Sequence, residues 1–205
     1  MCLVRKILLA SLVLLAGCKQ EVSLFTSHHN QRVEELKADN KTYSVVFLGD
    51  SLTEMGDFES VIPDSKNAGI GGDPIWCVPD VMQYVMKYKP QKLFLMIGIN
   101  SLRMSSLEES KAQYKELVSL VAQCFPDTEV ILESVLPHAQ RYESIKLFNE
   151  YVKQTAEEKG FKYLDLYSLY AVDDRLPQEL TEDGLHLKKE AYSVWYEAIK
   201  EIKEK

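Results

Sequence analysis

Three side chains of this sequence have the types that a hydroxyl nucleophile and its base require: Ser51 in "VVFLGDSLTEMG", and Asp183 with His186 in "LTEDGLHLKKEAYSVW". Two residues separate Asp183 from His186, so a tight turn or one helical turn sets the carboxylate against the imidazole Nδ1. The ring is then oriented. Its Nε2 is left to take the serine proton, and the ionised carboxylate stabilises the imidazolium that forms. A lone histidine is by default structural, but of the 4 in the chain only His186 has an aspartate at this spacing just before a helix. Ser51 follows the apolar run Val45–Leu48, a buried strand punctuated by Gly49 before a helix-like segment. That junction exposes a hydroxyl at the end of a sheet beside helix N–H groups. It suits Asp50 or Ser51 as a helix cap equally well.

An acyl-transfer site also needs donors for the oxyanion. The stretch "NAGIGGDP" (Asn67 to Pro74) leaves backbone amides unshielded by side chains, with Gly72 the natural donor and the Ser51 N–H a second. In "MIGIN", Gly98 allows close backbone approach and Asn100 offers a side-chain amide. Each feature taken singly is equally the mark of a turn.

The elements that must position these residues read as alternating strands and helices. Strands are expected near Ser44–Leu48, Lys66–Ala68, Lys92–Ile97, Glu129–Val135 and Lys162–Asp165. A helix from Val78 to Tyr88 carries Val78, Val81, Met82, Val85 and Met86 on one face, with Pro79 in its first turn. Ser106 and Glu109 form a capping-box pattern before a helix striped by Tyr114, Leu117, Val118, Val121 and Cys124. Another helix runs from about Tyr142 to Gly160, and a last one from about Lys188 towards the C-terminus. Such alternation implies a five-stranded parallel sheet in a three-layer α/β/α sandwich, because parallel strands need crossover connections. In that architecture ligands bind beyond the carboxyl ends of the strands. Ser51, the segment after Ala68 and the segment after Ile97 all fall there.

These blocks together resemble the SGNH hydrolases, also called GDSL esterases or lipases: "GDSL" at Gly49–Leu52, then Gly72, then Asn100, then "DGLH" with Asp183 and His186. The resemblance runs from about Ser44 to the C-terminal helix. It implies a flavodoxin-like fold, Ser51 as nucleophile, His186 as base, Asp183 as its orienting partner, and an oxyanion hole of Ser51, Gly72 and Asn100. No metal or organic cofactor is implied. Two departures stand out. Ser101 occupies a position where many members carry aspartate, which puts the support of that loop in question. Trp76 and Pro79 follow the glycine loop where smaller residues are expected, Trp76 being either a core residue or a wall of the acyl pocket.

The first eighteen residues, "MCLVRKILLASLVLLAGC", pair Arg5 and Lys6 with an apolar run from Ile7 to Ala16 that is short for a membrane span. They read as a signal peptide, and "LLAGC" resembles the bacterial lipobox. Residues 1–17 are then a leader, Cys18 the lipidated N-terminus, 18–40 a tether with a first helix at roughly Asn30–Ala38, and 41–205 the hydrolase domain. Lys19 after Cys18 leans towards the outer membrane or cell surface by resemblance to lipoprotein sorting. His28 and His29, on that polar tether, are expected to be solvated. Of the 4 cysteines, Cys77 and Cys124 belong to the domain, where they pack as small hydrophobes or pair in an exported setting. Neither C-x-x-C nor a histidine pair at helical spacing occurs, so no structural zinc is expected. With 24 Lys+Arg against 31 Asp+Glu and no basic block, nucleic acid is not an expected partner.

The expected activity is a serine esterase that cleaves short acyl esters, acetyl first, by way of an acyl-enzyme, with a glycan ester as candidate substrate. The absence of a lid-length insertion favours an open site. His138 in "SVLPH" either lines the substrate side or sits in a surface turn. Alternatives are a lysophospholipase or thioesterase-like acylhydrolase, and a glycan-binding lipoprotein that keeps the fold without chemistry. The intact set Ser51, Asp183 and His186 favours an enzyme.

Overall fold

The computed structural model describes residues 19–139 and 142–203; the expected leader and the candidate lipidation residue Cys18 lie outside the described residues. The chain runs through α1 (Lys19–Ala38), β1 (Val45–Gly49), α2 (Ser51–Glu54), α3 (Phe58–Val61), β2 (Ser65–Gly69), α4 (Val78–Tyr88) and β3 (Lys92–Met96). It continues through α5 (Ile99–Met104), α6 (Leu107–Cys124), β4 (Glu129–Glu133), α7 (Tyr142–Lys159), β5 (Lys162–Leu164), α8 (Leu166–Tyr170) and α9 (Tyr192–Lys203). The strands form one 5-stranded sheet in the order β2-β1-β3-β4-β5, parallel throughout. This is the expected architecture, and the strand ends differ from expectation by two residues or fewer.

Every residue of β1 is buried, as a strand covered on both faces must be. Phe47 lies in register with Phe94 of β3, so their rings emerge on one face and stack at 5.0 Å. Phe58 of α3 stacks on Phe47 at 4.2 Å, and Trp195 of α9 meets Phe58 edge-on at 5.3 Å. Burial of these rings, worth roughly 1.5–3 kcal/mol each, pins α3 and α9 to that face of the sheet. Val46, Leu48, Leu93 and Leu95 alternate to the other face. There α1, α4, α6 and α7 contact one another in series. Tyr114 of α6 meets Phe148 of α7 edge-on at 5.3 Å.

The helix ends follow their sequence signals. Ser106 and Glu109 form the complete capping box of α6, and Gly160, with φ +70°, closes α7. The largest difference lies in α1, which begins at Lys19 rather than near Asn30. From Ser27 on it is no free tether. Leu36 is buried, Val33 packs on the core, and the Tyr88 hydroxyl donates to the Leu36 carbonyl at 2.7 Å. Trp76 is 48% exposed and so is not a core residue, whereas Trp195 is fully buried. Neither Cys77 nor Cys124 is in a disulfide. Among the described residues no helix is long and apolar enough to cross a membrane.

Candidate active site

β1 ends where a side chain no longer fits: a Cβ on Gly49 would collide with the Met96 carbonyl and the Thr53 hydroxyl. The chain therefore turns there into α2. The two readings of this junction are divided between neighbouring residues. Asp50 is the cap, its carboxylate accepting the Leu52 N–H at 3.0 Å, and Ser51 presents its hydroxyl. Burial pushes the Asp50 carboxyl up to about 7, against the Leu52 hydrogen bond and with the Asp73 charge adding to the rise.

Ser51 Oγ lies 2.9 Å from His186 Nε2. On the other side of the ring, Nδ1 lies 2.6 Å from Asp183 Oδ2. With an ionised carboxylate at that distance Nδ1 carries the proton, which makes Nε2 the acceptor for the serine hydroxyl. The turn between the two residues is built by the same aspartate: Oδ1 accepts the amides of Leu185 at 2.9 Å and His186 at 2.8 Å, while Gly184 takes φ +80°. Desolvation raises the Asp183 carboxyl, but the bonds from the His186 ring and amide and from the Leu185 amide outweigh it. They hold the group far below the ordinary carboxylate range. The three residues singled out in the sequence thus form one hydrogen-bonded chain.

The oxyanion candidates gather at the same sheet edge. The glycine loop is tied to β1 by the Ile70 N–H, which donates to the Gly49 carbonyl at 3.0 Å. Gly72 adopts φ +83°, a conformation open to glycine and strained for other residues. Asn100 lies in the first turn of α5 rather than at a bare strand end, and its Nδ2 donates to the Asp73 carbonyl at 3.1 Å. Among the described residues no hydrogen bond engages the Ser51 or Gly72 amide, which leaves both for a ligand. Ser101 answers the doubt raised by its departure from the family pattern: its buried hydroxyl accepts the Ile75 N–H at 2.9 Å and supports the loop.

A second set of polar residues went unread in the sequence. His28 and His29, expected to be solvated, both engage the domain. His28 Nε2 lies 2.9 Å from Glu54 Oε2, and His29, itself buried, places Nδ1 2.9 Å from Asp73 Oδ1 and 3.0 Å from Oδ2. Arg32 Nε pairs with Glu54 Oε1 at 3.0 Å, and Glu54 Oε2 accepts the Gly71 N–H at 2.6 Å. Burial pushes Asp73 up to about 6, opposed by the hydrogen bond and charge of His29. The available signal was two histidines and an arginine within five positions of a helix, 28, 29 and 32, facing acidic residues far along the chain. With Cys77, the His29 and Asp73 ligand atoms lie within 4.8 Å of one another. Burial pushes the Cys77 thiol up to about 12, with Asp73 and Asp80 adding to the rise.

Beside His186 opens a groove of about 430 Å³, lined by Met55, Leu187 and the charged residues Glu182, Asp183, Lys188, Lys189 and Glu190. His138 is half-buried, on a segment whose Ala139 amide approaches the Gly184 carbonyl at 3.5 Å. It therefore neighbours the turn that carries Asp183 and His186.

A model of the GDSL-like Lipase/Acylhydrolase family matches residues 47–194. No curated protein sequence matches the chain. Among solved structures, a Streptococcus pneumonia protein described as a candidate platelet activating factor superposes with a TM-score of 0.79 at 19% identity, over 91% of this chain and 97% of its own. A GDSL-like lipase from Bacteroides thetaiotaomicron gives 0.68 at 19% identity, over 87% and 98%. A catalytic mutant of an acetylxylan esterase from Geobacillus stearothermophilus gives 0.63 at 20% identity, over 79% and 93%. At these identities the likeness is one of fold.

Proposed function

The chain belongs to the GDSL-like lipase and acylhydrolase family of ester-hydrolysing enzymes, and from that premise we propose that it cleaves short acyl esters, acetyl first, borne on a polar scaffold such as a glycan. The observation that carries this reading is the Ser51–His186 contact of 2.9 Å, with a groove lined mainly by charged side chains beside His186. Ser51 Oγ attacks the ester carbonyl while His186 Nε2 takes its proton, and the amides of Ser51 and Gly72 with the Asn100 side chain receive the oxyanion. His186 returns the proton to the leaving alcohol. Water then enters and attacks the acyl carbon as His186 takes its proton, and His186 passes that proton to Ser51 Oγ as the acid leaves.

A long acyl chain needs continuous apolar cover, worth about 0.8 kcal/mol per buried CH₂. Met55 and Leu187 are the only apolar residues among those lining the groove, so it offers little such cover. Charged and hydrogen-bonding walls suit a hydroxyl-rich alcohol moiety. The acetylxylan esterase among the structural relatives is consistent with this choice. The test is a p-nitrophenyl ester series beside acetylated xylooligosaccharides: rates falling from acetate to octanoate, with acetate released from the glycan, support the reading. Rates rising with chain length favour the lysophospholipase alternative.

We further propose that Cys18 in "LLAGC" carries the lipid that holds the protein at the bacterial outer membrane or cell surface. In cells fed a labelled fatty acid, the native chain takes up label and Cys18→Ser does not. Equal labelling of the two overturns the assignment.

A further inference from the structure

We propose that α1 is part of the catalytic apparatus at one remove, with His29 acting as a positioning residue for the oxyanion hole. This rests on the esterase reading of Ser51, Gly72 and Asn100. Asp73 is the hub. Its amide follows Gly72, one candidate oxyanion donor, and its carbonyl accepts the Nδ2 of Asn100, another, at 3.1 Å. Its side chain is held in turn by His29 Nδ1 at 2.9 and 3.0 Å to the two carboxylate oxygens. One imidazole therefore fixes the residue that sets the aim of both donors.

The neighbouring contacts act on the same segment. Arg32 Nη2 donates to the carbonyls of Asn67 at 3.4 Å and Gly69 at 3.3 Å, at the start of the glycine loop. His28 and Arg32 hold Glu54 at the end of the nucleophile helix α2, and Glu54 in turn takes the Gly71 N–H. Gly71 and Gly72 give the loop little stiffness of its own, since glycine restricts the backbone least of all residues. Oxyanion stabilisation depends on donors fixed before the reaction, because a donor that must reorganise loses most of its effect. Residues 28–32 of α1 supply from outside the rigidity that the loop lacks.

The test compares the full chain with His29→Ala, His29→Asn and Val33→Ala, reading kcat and KM for p-nitrophenyl acetate and the Tm of each, with the Ser51→Ala rate subtracted. Asn can place its amide nitrogen where Nδ1 stood and donate to Asp73. Val33 packs on the core from the same helix and is a control for loosened docking. The proposal predicts that His29→Ala loses about tenfold or more in kcat with KM within about twofold, since a misaimed donor affects the transition state more than substrate binding. His29→Asn recovers most of that loss. Val33→Ala lowers Tm and leaves kcat unchanged. A His29→Ala variant with native kcat, or one that loses no more than Val33→Ala, overturns the positioning role and leaves the esterase reading standing. A native rate no greater than that of Ser51→Ala removes the esterase reading itself, and the positioning role with it.

Discussion

At the scale of single residues, Asp183 does two things with two oxygens: one builds the turn through the Leu185 and His186 amides, and the other fixes the imidazole. Asp183→Asn separates them. The amide oxygen still accepts the backbone N–H groups, but the amide nitrogen facing Nδ1 favours the wrong tautomer, so kcat should fall about 10²–10⁴-fold with Tm nearly unchanged. Steady-state kinetics beside a thermal melt checks this; a matching loss of stability would mean that the turn, and not the tautomer, had failed. Asn100→Ala removes one candidate oxyanion donor and should cost about 10²–10³ in kcat with a small change in KM. These residues were legible because their signals are local: Asp183 and His186 share a turn, and Ser51 and Asn100 sit at strand exits. His29 and Asp73 were not, because 44 positions separate them and no local pattern tells a histidine facing a carboxylate from one facing water.

At the scale of elements, α5 depends on Gly98. Its φ of +152° and the nearness of the Phe148 ring and Val135 to any added Cβ leave no room for a side chain. Gly98→Ala should lower Tm by about 5–10 °C, as a strained backbone and an overpacked neighbour together would. A melt within 1–2 °C of native, on the same scale, would show that the turn relaxes at little cost. The sequence marked the long helices α4, α6, α7 and α9 well, because each repeats its apolar face over several turns. The short helices α2, α3, α5 and α8 span 4 to 6 residues each, too few for a period to emerge. The early part of α1 escaped for a related reason: its contacts with the glycine loop and α2 are polar, and an apolar stripe does not report them.

At the scale of the whole molecule, stability should depend on pH through buried acids. Glu133 is 2% exposed on β4, and burial pushes it up to about 8 against the hydrogen bond from Trp195 Nε1 at 2.7 Å. The unfolded chain loses that proton near pH ~4.3, so between that value and about 8 the folded state binds more protons than the unfolded one. The contribution is complete below the unfolded value and is lost as pH rises through the folded one. Asp50, raised to about 7, acts in the same direction. Glu133→Gln keeps an oxygen for Trp195 and removes the charge. The variant should therefore gain stability relative to native as denaturation midpoints are followed from pH 5 to 9. Parallel pH profiles for the two proteins would contradict the assignment.

The claim on which the rest depends is that Ser51 is the nucleophile of an ester hydrolase. The most direct measurement is the rate of p-nitrophenyl acetate hydrolysis by the native chain and by Ser51→Ala under the same conditions. Loss of about 10³-fold or more in the variant, with an unchanged melt, is what the Ser51–His186–Asp183 relay predicts. Equal rates for the two proteins would contradict it and leave the fold with a binding role.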